Sequence, residues 1–289
     1  MRLIKPSVEI IKQEEYDLNH IFKFIELAGR TCYKSEDKIT KDSAKEFVDR
    51  MIKSGHGAML EHGTVYLIIP YFATSNIIVR KYFLNPYSKV VNDNINNYIT
   101  TNYRVLVENE WLDDLKYLCK PTIFHTRRTT VKFICDRGVS HEFIRHRGFS
   151  FAQESTRYCN YTKDKFNNEL TFIIPCWIKD LEEGNYYAHC EYHHTKYDPS
   201  KEWFGICMDS EFIYTELIEK GWKPQEARTV LPNSLKTELI MTGFNDDWEN
   251  FFKLRCAPNA HPQAKELAYI LKDKFNKDLA KDKDKYSIC

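Results

Sequence analysis

The sequence predicts one domain of mixed α and β structure, and three observations carry that reading. Short runs rich in β-branched and aromatic residues, 63–70 (GTVYLIIP) and 129–135 (TTVKFIC), have the composition of strands. Longer segments repeat apolar residues at helical intervals and close on glycine or proline. A hydrophobic fraction of 43% in 289 residues supports a substantial buried core, and neither an internal repeat nor a linker divides the chain.

The elements follow in order. Residues 16–30 space Leu18, Ile21, Phe22, Ile25 and Leu27 for a helix that meets Gly29 as its stop, and a second helix over 41–54 is broken by Gly55 and Gly57. The strand at 63–70 is expected to pair with 129–135, where alternation sets Val131, Phe133 and Cys135 on one face. Between them, 71–125 reads as an excursion inserted into the 1–289 domain, a hairpin plus the amphipathic helix WLDDLKYLCK closed by Pro121. VSHEFIRHR reads as a helix ending at Gly148, followed by a loop that carries SFAQESTRY. A strand at 170–177, a helix at 201–220 ended by Gly221, and a helix begun by Pro224 come next. Asp246 or Asp247 is placed to cap DWENFFKLR, and QAKELAYILKDKFNKDL forms a last helix before a frayed tail.

Lysine plus arginine (42) nearly balance aspartate plus glutamate (41), so the molecule lacks the overall positive field of a dedicated nucleic-acid binder and any anion site is local. Pro6 and nearby charges interrupt the apolar stretch a signal peptide needs, and no segment has membrane-spanning length, so a cytoplasmic location is expected. Nine scattered cysteines without a Cys-x-x-Cys pair suit reduced thiols, not a disulfide framework or structural zinc. No Gly-x-Gly-x-x-Gly or Walker loop is present.

Chemistry concentrates at 145–157. Arg145, His146 and Arg147 crowd three potential cations together, and Ser155 and Arg157 follow in a segment without glycine slack. Arginine makes bidentate, charge-assisted bonds to phosphate or carboxylate, each contributing about 1.5–3 kcal/mol, and a serine hydroxyl adds a donor that phosphate oxygens accept. Arg-His-Arg alone is better read as a solvated basic patch at a helix end, where arginines also suit the helix dipole.

The longer pattern is more specific. Arg145-His146-Arg147, seven residues, then Ser155-Thr156-Arg157-Tyr158, with Ser150 between, resembles the signature of flavin-dependent thymidylate synthases. Gly55-His56 to Glu61-His62, Glu226-Ala227-Arg228 with Leu231-Pro232, Asn250 to Leu254-Arg255, and His261-Pro262-Gln263 keep that family's order. The resemblance implies an α+β subunit, its mixed or antiparallel sheet flanked by helices, in a homotetramer with FAD and dUMP bound where subunits meet. It implies that His56, Arg145, His146, Arg147, Gln153 and Asn250 hold FAD. Glu142, Arg145, Gln153, Glu154, Ser155, Thr156, Arg157 and Arg228 would hold dUMP. Arg255 would face the uracil ring as the catalytic group, stabilising an anionic form that makes carbon 5 nucleophilic. NADPH and 5,10-methylenetetrahydrofolate are the implied co-substrates; no metal and no cysteine nucleophile is implied.

The chain departs from the family pattern in places. Phe244-Asn245-Asp246 stands where many members have Asn-Ala-Arg, Gln153 where others have glutamate, Glu142 where others have glutamine, and Ala58 where a hydroxyl residue is common.

Other chemistries have weaker support. His141 and His146 lie five residues apart and do not share a helix face, which removes a zinc-protease reading, and His189, His193 and His194 read as a surface cluster. Ser155 lacks the orienting acid of a triad. Two alternatives remain: a cysteine-dependent synthase through Cys176, whose neighbours Ile174 and Trp177 are apolar and mark it as buried core, and a nucleic-acid module using Arg127, Arg128, Arg137, Arg145, Arg147 and Arg157 as a basic strip.

Overall fold

A computed structural model describes the chain except residues 14, 72–74, 188–197 and 287–289, and of 75–76 and 278–286 it describes the backbone alone. The histidines at 189, 193 and 194 lie outside the described residues. The strands are β1 (Arg2–Ile4), β2 (Ser7–Ile11), β3 (Thr64–Pro70), β4 (Lys89–Asn92), β5 (Asn96–Asn102), β6 (Arg128–Asp136), β7 (Ser150–Gln153), β8 (Thr171–Ile173), β9 (Gly184–Asn185) and β10 (Lys236–Phe244). The helices are α1 (Leu18–Tyr33), α2 (Ser43–Lys53), α3 (Gly57–Leu60), α4 (Ser75–Phe83), α5 (Tyr103–Glu108), α6 (Arg137–Phe143), α7 (Pro199–Glu219), α8 (Pro224–Ala227), α9 (Asn245–Arg255) and α10 (Pro262–Tyr286).

An antiparallel sheet of order β2-β6-β10-β7 organises the molecule. Side chains alternate across it. Val131, Phe133, Cys135, Leu239 and Met241 face a core built with Val139 and Phe143 of α6, Trp248 and Phe251 of α9, and Leu267 and Leu271 of α10. Each fully buried large side chain there contributes about 1.5–3 kcal/mol. Ala152 and Ile240 point the other way and pack against Ala28 of α1.

Two smaller sheets flank this one. β3-β5-β4 is antiparallel and packs with α1, α2, α4 and α5, while β1 pairs parallel with β8 and antiparallel with β9 on the side covered by α7. The result is a mixed α/β architecture with antiparallel sheets flanked by helices.

Several elements differ from the sequence-based expectation, each for a physical reason. β3 pairs with β5, not with the strand at 128–136, because alternation identifies a buried face but not the strand that covers it. The β4–β5 hairpin of the 71–125 segment therefore belongs to β3's own sheet. Helix α1 runs through Gly29 and stops at Lys34, whose left-handed φ of 47° closes it. Gly29 is needed for helix packing, since a Cβ there would sit 2.4 Å from the Phe47 ring of α2. WLDDLKYLCK forms a short 3-10 turn over Leu112–Tyr117, the helix expected to reach Gly148 ends at Phe143, and SFAQ is strand β7 instead of loop. The frayed tail begins later than expected, as the α10 backbone stays helical to Tyr286. Asp247, not Asp246, caps α9, its carboxylate accepting from Phe244 N–H at 3.2 Å.

Candidate functional site

Helix α6 starts where Asp136 accepts the Val139 N–H at 2.7 Å, and it delivers Glu142 and then a tight turn, with His146 N–H donating to Phe143 carbonyl at 3.1 Å. In that turn Phe143, His146 and Phe149 point inward, so Arg145 and Arg147 are left exposed on either side. Neither arginine has an ion pair or side-chain hydrogen bond among the described residues. Gly148 lets the turn lie against the first turn of α9: a Cβ would fall 2.8 Å from Asp247 Oδ1.

His146 is buried beside the Phe251 and Phe149 rings, and its Nε2 accepts from Arg255 Nε at 2.9 Å. Arg255, the last residue of α9, also donates to Glu142 Oε2 at 2.5 Å and to the Glu142 carbonyl. Burial first, and the Arg255 charge second, hold the His146 imidazole down to about 4, against an opposing pull from Glu142. The ring is thus neutral at physiological pH and accepts at Nε2. Glu142, His146 and Arg255 form one constellation that fixes the plane of the guanidinium by three bonds.

The second group lies at the far end of β7. Ser155 N–H donates to Cys32 carbonyl at the end of α1 (2.9 Å), and Arg228 Nη1 donates to the buried Thr156 hydroxyl (3.2 Å). Arg157 and Arg228 reach solvent, the former over the Tyr158 ring. Gln153 is held by Ser140 and Thr237 through its amide (2.8 and 3.2 Å), which ties β7 to α6 and β10. Glu154 is buried, its carboxylate accepting from Tyr161 hydroxyl (3.0 Å) and paired with Lys236 (2.8 Å).

His56 stands apart from both groups. It lines a cavity of about 780 Å³ together with Arg30, Lys34, Lys38, Arg50, Lys53 and Lys165, with Asp37 the one acid in the wall and Arg30, Lys34 and Arg50 paired behind it with Glu26, with Glu36 and Glu238, and with Glu46. Lys38 and Lys53 have no ion pair among the described residues. The cavity adjoins the Ser155 loop, because Tyr33 on its wall packs on Tyr158 with ring centroids 5.2 Å apart. Asn250 is exposed on α9, outside any of these groups.

One chain therefore brings together Glu142, His146 and Arg255, and separately Ser155, Thr156, Arg157 and Arg228 near the His56 cavity. Arg145 and Arg147 precede β7 whereas Ser155 follows it, so the four residues of that strand, roughly 13 Å at about 3.3 Å per residue, lie between them. Cys176 differs from the expected buried core: it is half-buried, and Trp177 beside it is exposed. Desolvation and the nearby Glu266 push its thiol up, the wrong direction for a nucleophile at neutral pH. Sequence reasoning missed Lys34, Lys132, Lys236 and Glu238, which cluster beside Glu154; the one local sign is the i, i+2 pair Lys236 and Glu238 on one face of β10.

Fold and site together define a mixed α/β protein with antiparallel sheets flanked by helices, in which cationic side chains gather at the Ser155 loop and around the His56 cavity. The chain belongs to the family described as "Thymidylate synthase complementing protein", whose profile matches residues 87–279, more than half of its length. That span contains every candidate residue except His56. A protein of Pyrococcus furiosus described as "Flavin-dependent thymidylate synthase" is 30% identical over 143 residues, 50% of this chain and 52% of that relative. One of Corynebacterium aurimucosum with the same description is 22% identical over 261 residues, 84% of this chain and 71% of its own. The chain spans about half the length of the curated Pyrococcus relatives it matches. A solved structure, "Crystal structure of a UMP/dUMP methylase PolB from Streptomyces cacaoi bound with 5-Br UMP", superposes with a TM-score of 0.44 at 15% identity, over 96% of this chain and 92% of that one, a likeness too loose to carry an argument. No described helix is long and apolar enough to cross a membrane.

Proposed function

We propose that this chain is a flavin-dependent thymidylate synthase, a methyltransferase that converts dUMP to dTMP by reductive methylation. The observation that carries the reading is the fixed guanidinium of Arg255, held by a neutral imidazole and a carboxylate. Such a group is a donor of fixed direction that cannot itself release a proton at working pH. Aimed at the oxygen and nitrogen edge of uracil, it stabilises the anionic ring and pushes electron density to carbon 5. His146 contributes by orienting Arg255, and Glu142 by fixing the fork.

The phosphate of dUMP suits the Ser155 loop, where the Ser155 hydroxyl, Arg157 and Arg228 offer donors and the Thr156 hydroxyl orients Arg228. Glu154 holds this loop from beneath. FAD suits the cationic cavity: its size is that of a small-molecule site, and its excess of lysine and arginine matches a diphosphate. His56 would lie within that contact, with Arg145, Arg147, Gln153 and Asn250 as further FAD ligands. Bound there, FAD supplies hydride chemistry, with NADPH as its reductant and 5,10-methylenetetrahydrofolate as the carbon donor.

The separation along β7 supports a shared site. Arg145 and Arg147, exposed and without an ion pair among the described residues, would on one subunit complete the FAD and dUMP site of another, consistent with a homotetramer. We also propose that residues 1–289 act as one domain, located in the cytoplasm.

An absorbance spectrum of the purified protein tests the reading directly. Visible flavin bands that shift on adding dUMP are expected, because a stacked pyrimidine alters the flavin's surroundings. A colourless protein that FAD cannot reconstitute would overturn it. Cys176→Ser should keep turnover within about twofold, since a raised thiol pKa gives little thiolate; abolished turnover would favour a cysteine-dependent route.

A further inference from the structure

Glu238 is a buried carboxylate on β10 on which three ammonium groups converge: Lys236 at 2.6 Å, Lys34 at 2.7 Å and Lys132 at 2.6 Å. Two of these lysines lead elsewhere. Lys236 also pairs with Glu154 at 2.8 Å, the residue immediately before Ser155, and the Glu154 N–H donates to the Glu238 carbonyl at 2.9 Å. Lys34 is the left-handed cap of α1 and part of the cavity wall, two residues beyond the Cys32 carbonyl that receives Ser155 N–H.

Burying so many charges gains little net stability, because desolvation offsets much of the attraction. What the cluster fixes is direction. Burial works to raise the Glu238 carboxyl, yet the charges of Lys236, Lys34 and Lys132 hold it well below the usual carboxylate range, so it stays ionised. Lys34, Lys132 and Lys236 face Glu238, Glu154 and Glu36, so the cluster as a whole is neutral only while each of them keeps its place.

We propose that Glu238 is a positioning residue for both anion-binding places, aligning the Ser155 loop through Lys236 and Glu154, and the cavity wall through Lys34. This rests on the assignment of dUMP to the loop and FAD to the cavity. The two arms are separable. Lys236→Met should loosen the loop alone, Lys34→Met the cavity alone, and Glu238→Gln both.

The test is calorimetric binding of FAD and of dUMP to each variant, with kcat and KM for dUMP measured on FAD-saturated protein. Lys236→Met is expected to raise the Kd and KM for dUMP about tenfold with kcat within about twofold and FAD binding unchanged, about the loss of one charge-assisted contact. Lys34→Met should raise the FAD Kd about tenfold with dUMP binding unchanged, and Glu238→Gln should raise both. General loosening of the fold would shift both ligands together in every variant, and that pattern overturns the proposal. Unchanged binding in Glu238→Gln also overturns it. Should Glu238→Gln fail to fold, Glu238→Asp keeps the charge, and the split between the two lysine variants decides alone. Wild-type protein that binds neither ligand would overturn the assignment of function itself, and this role with it.

Discussion

Replacing Arg255 with alanine should lower kcat for methyl transfer about 10²–10³-fold while FAD remains bound, the scale on which an oriented donor to a developing oxyanion acts, roughly 3–4 kcal/mol. The reason lies in what the guanidinium touches. Three donors are committed to His146 Nε2, Glu142 Oε2 and the Glu142 carbonyl, so its orientation is set before any ligand arrives. Truncation leaves Glu142 half-exposed and able to hydrate but removes the donor to the buried His146 Nε2, so the cost to folding should be about 1–3 kcal/mol. A compact lysine ammonium cannot span the same three acceptors, so Arg255→Lys should recover little activity. Single-turnover assays on FAD-saturated protein, with the bound flavin read from its absorbance, check both halves. Retained methyl transfer in Arg255→Ala would remove this residue from the reaction, whereas lost flavin would reassign it to cofactor binding.

How far such a site can be read from sequence depends on whether its parts announce themselves locally. Arg145, Arg147, Ser155, Arg157 and Arg228 do: they are exposed or half-exposed cations and hydroxyls in a fixed order, for which few structural needs compete. Arg255 was legible as a candidate, but its partners were not, because His146 and Glu142 meet it across more than a hundred residues. His146 sits between two exposed arginines in sequence, yet its ring lies against Phe149 and Phe251; neighbouring charge hid an inward-facing position. The β10 strand went unread for a related cause. Its first residues alternate Lys236, Thr237, Glu238, a pattern that reads as solvated until Lys34, Lys132 and Glu154 arrive from other elements to neutralise it. Strand β7 was missed because four residues give too short an alternation to separate strand from loop. Segments with helical periodicity over several turns, such as those at 201–220 and 263–279, were found because the apolar stripe repeats often enough to be unambiguous.

The neutral state of His146 has a consequence for stability that acid titration should reveal. In the unfolded chain this imidazole protonates near 6.5, whereas burial and the facing Arg255 hold it down to about 4 in the fold. Between those values the unfolded state binds the extra proton, so stability rises with pH across this window. The contribution is fully present above about 6.5, is lost as pH falls toward 4, and changes no further below that. A depression of this size corresponds to about 3 kcal/mol for a group as buried as His146. His146→Gln retains an acceptor for Arg255 Nε and has no proton to gain, so its own stability should lack this portion of the acid loss. Urea unfolding of both proteins from about pH 7 to about pH 4 isolates the effect, since every carboxylate and the other histidines titrate in both. The gap between the two curves should narrow by about 3 kcal/mol on acidification, and it reverses sign if the ring packing that the variant forfeits contributes less than that. A constant gap would mean that the imidazole takes up its proton in the fold as readily as in the unfolded chain, so that burial and Arg255 do not hold it neutral as the proposed mechanism requires.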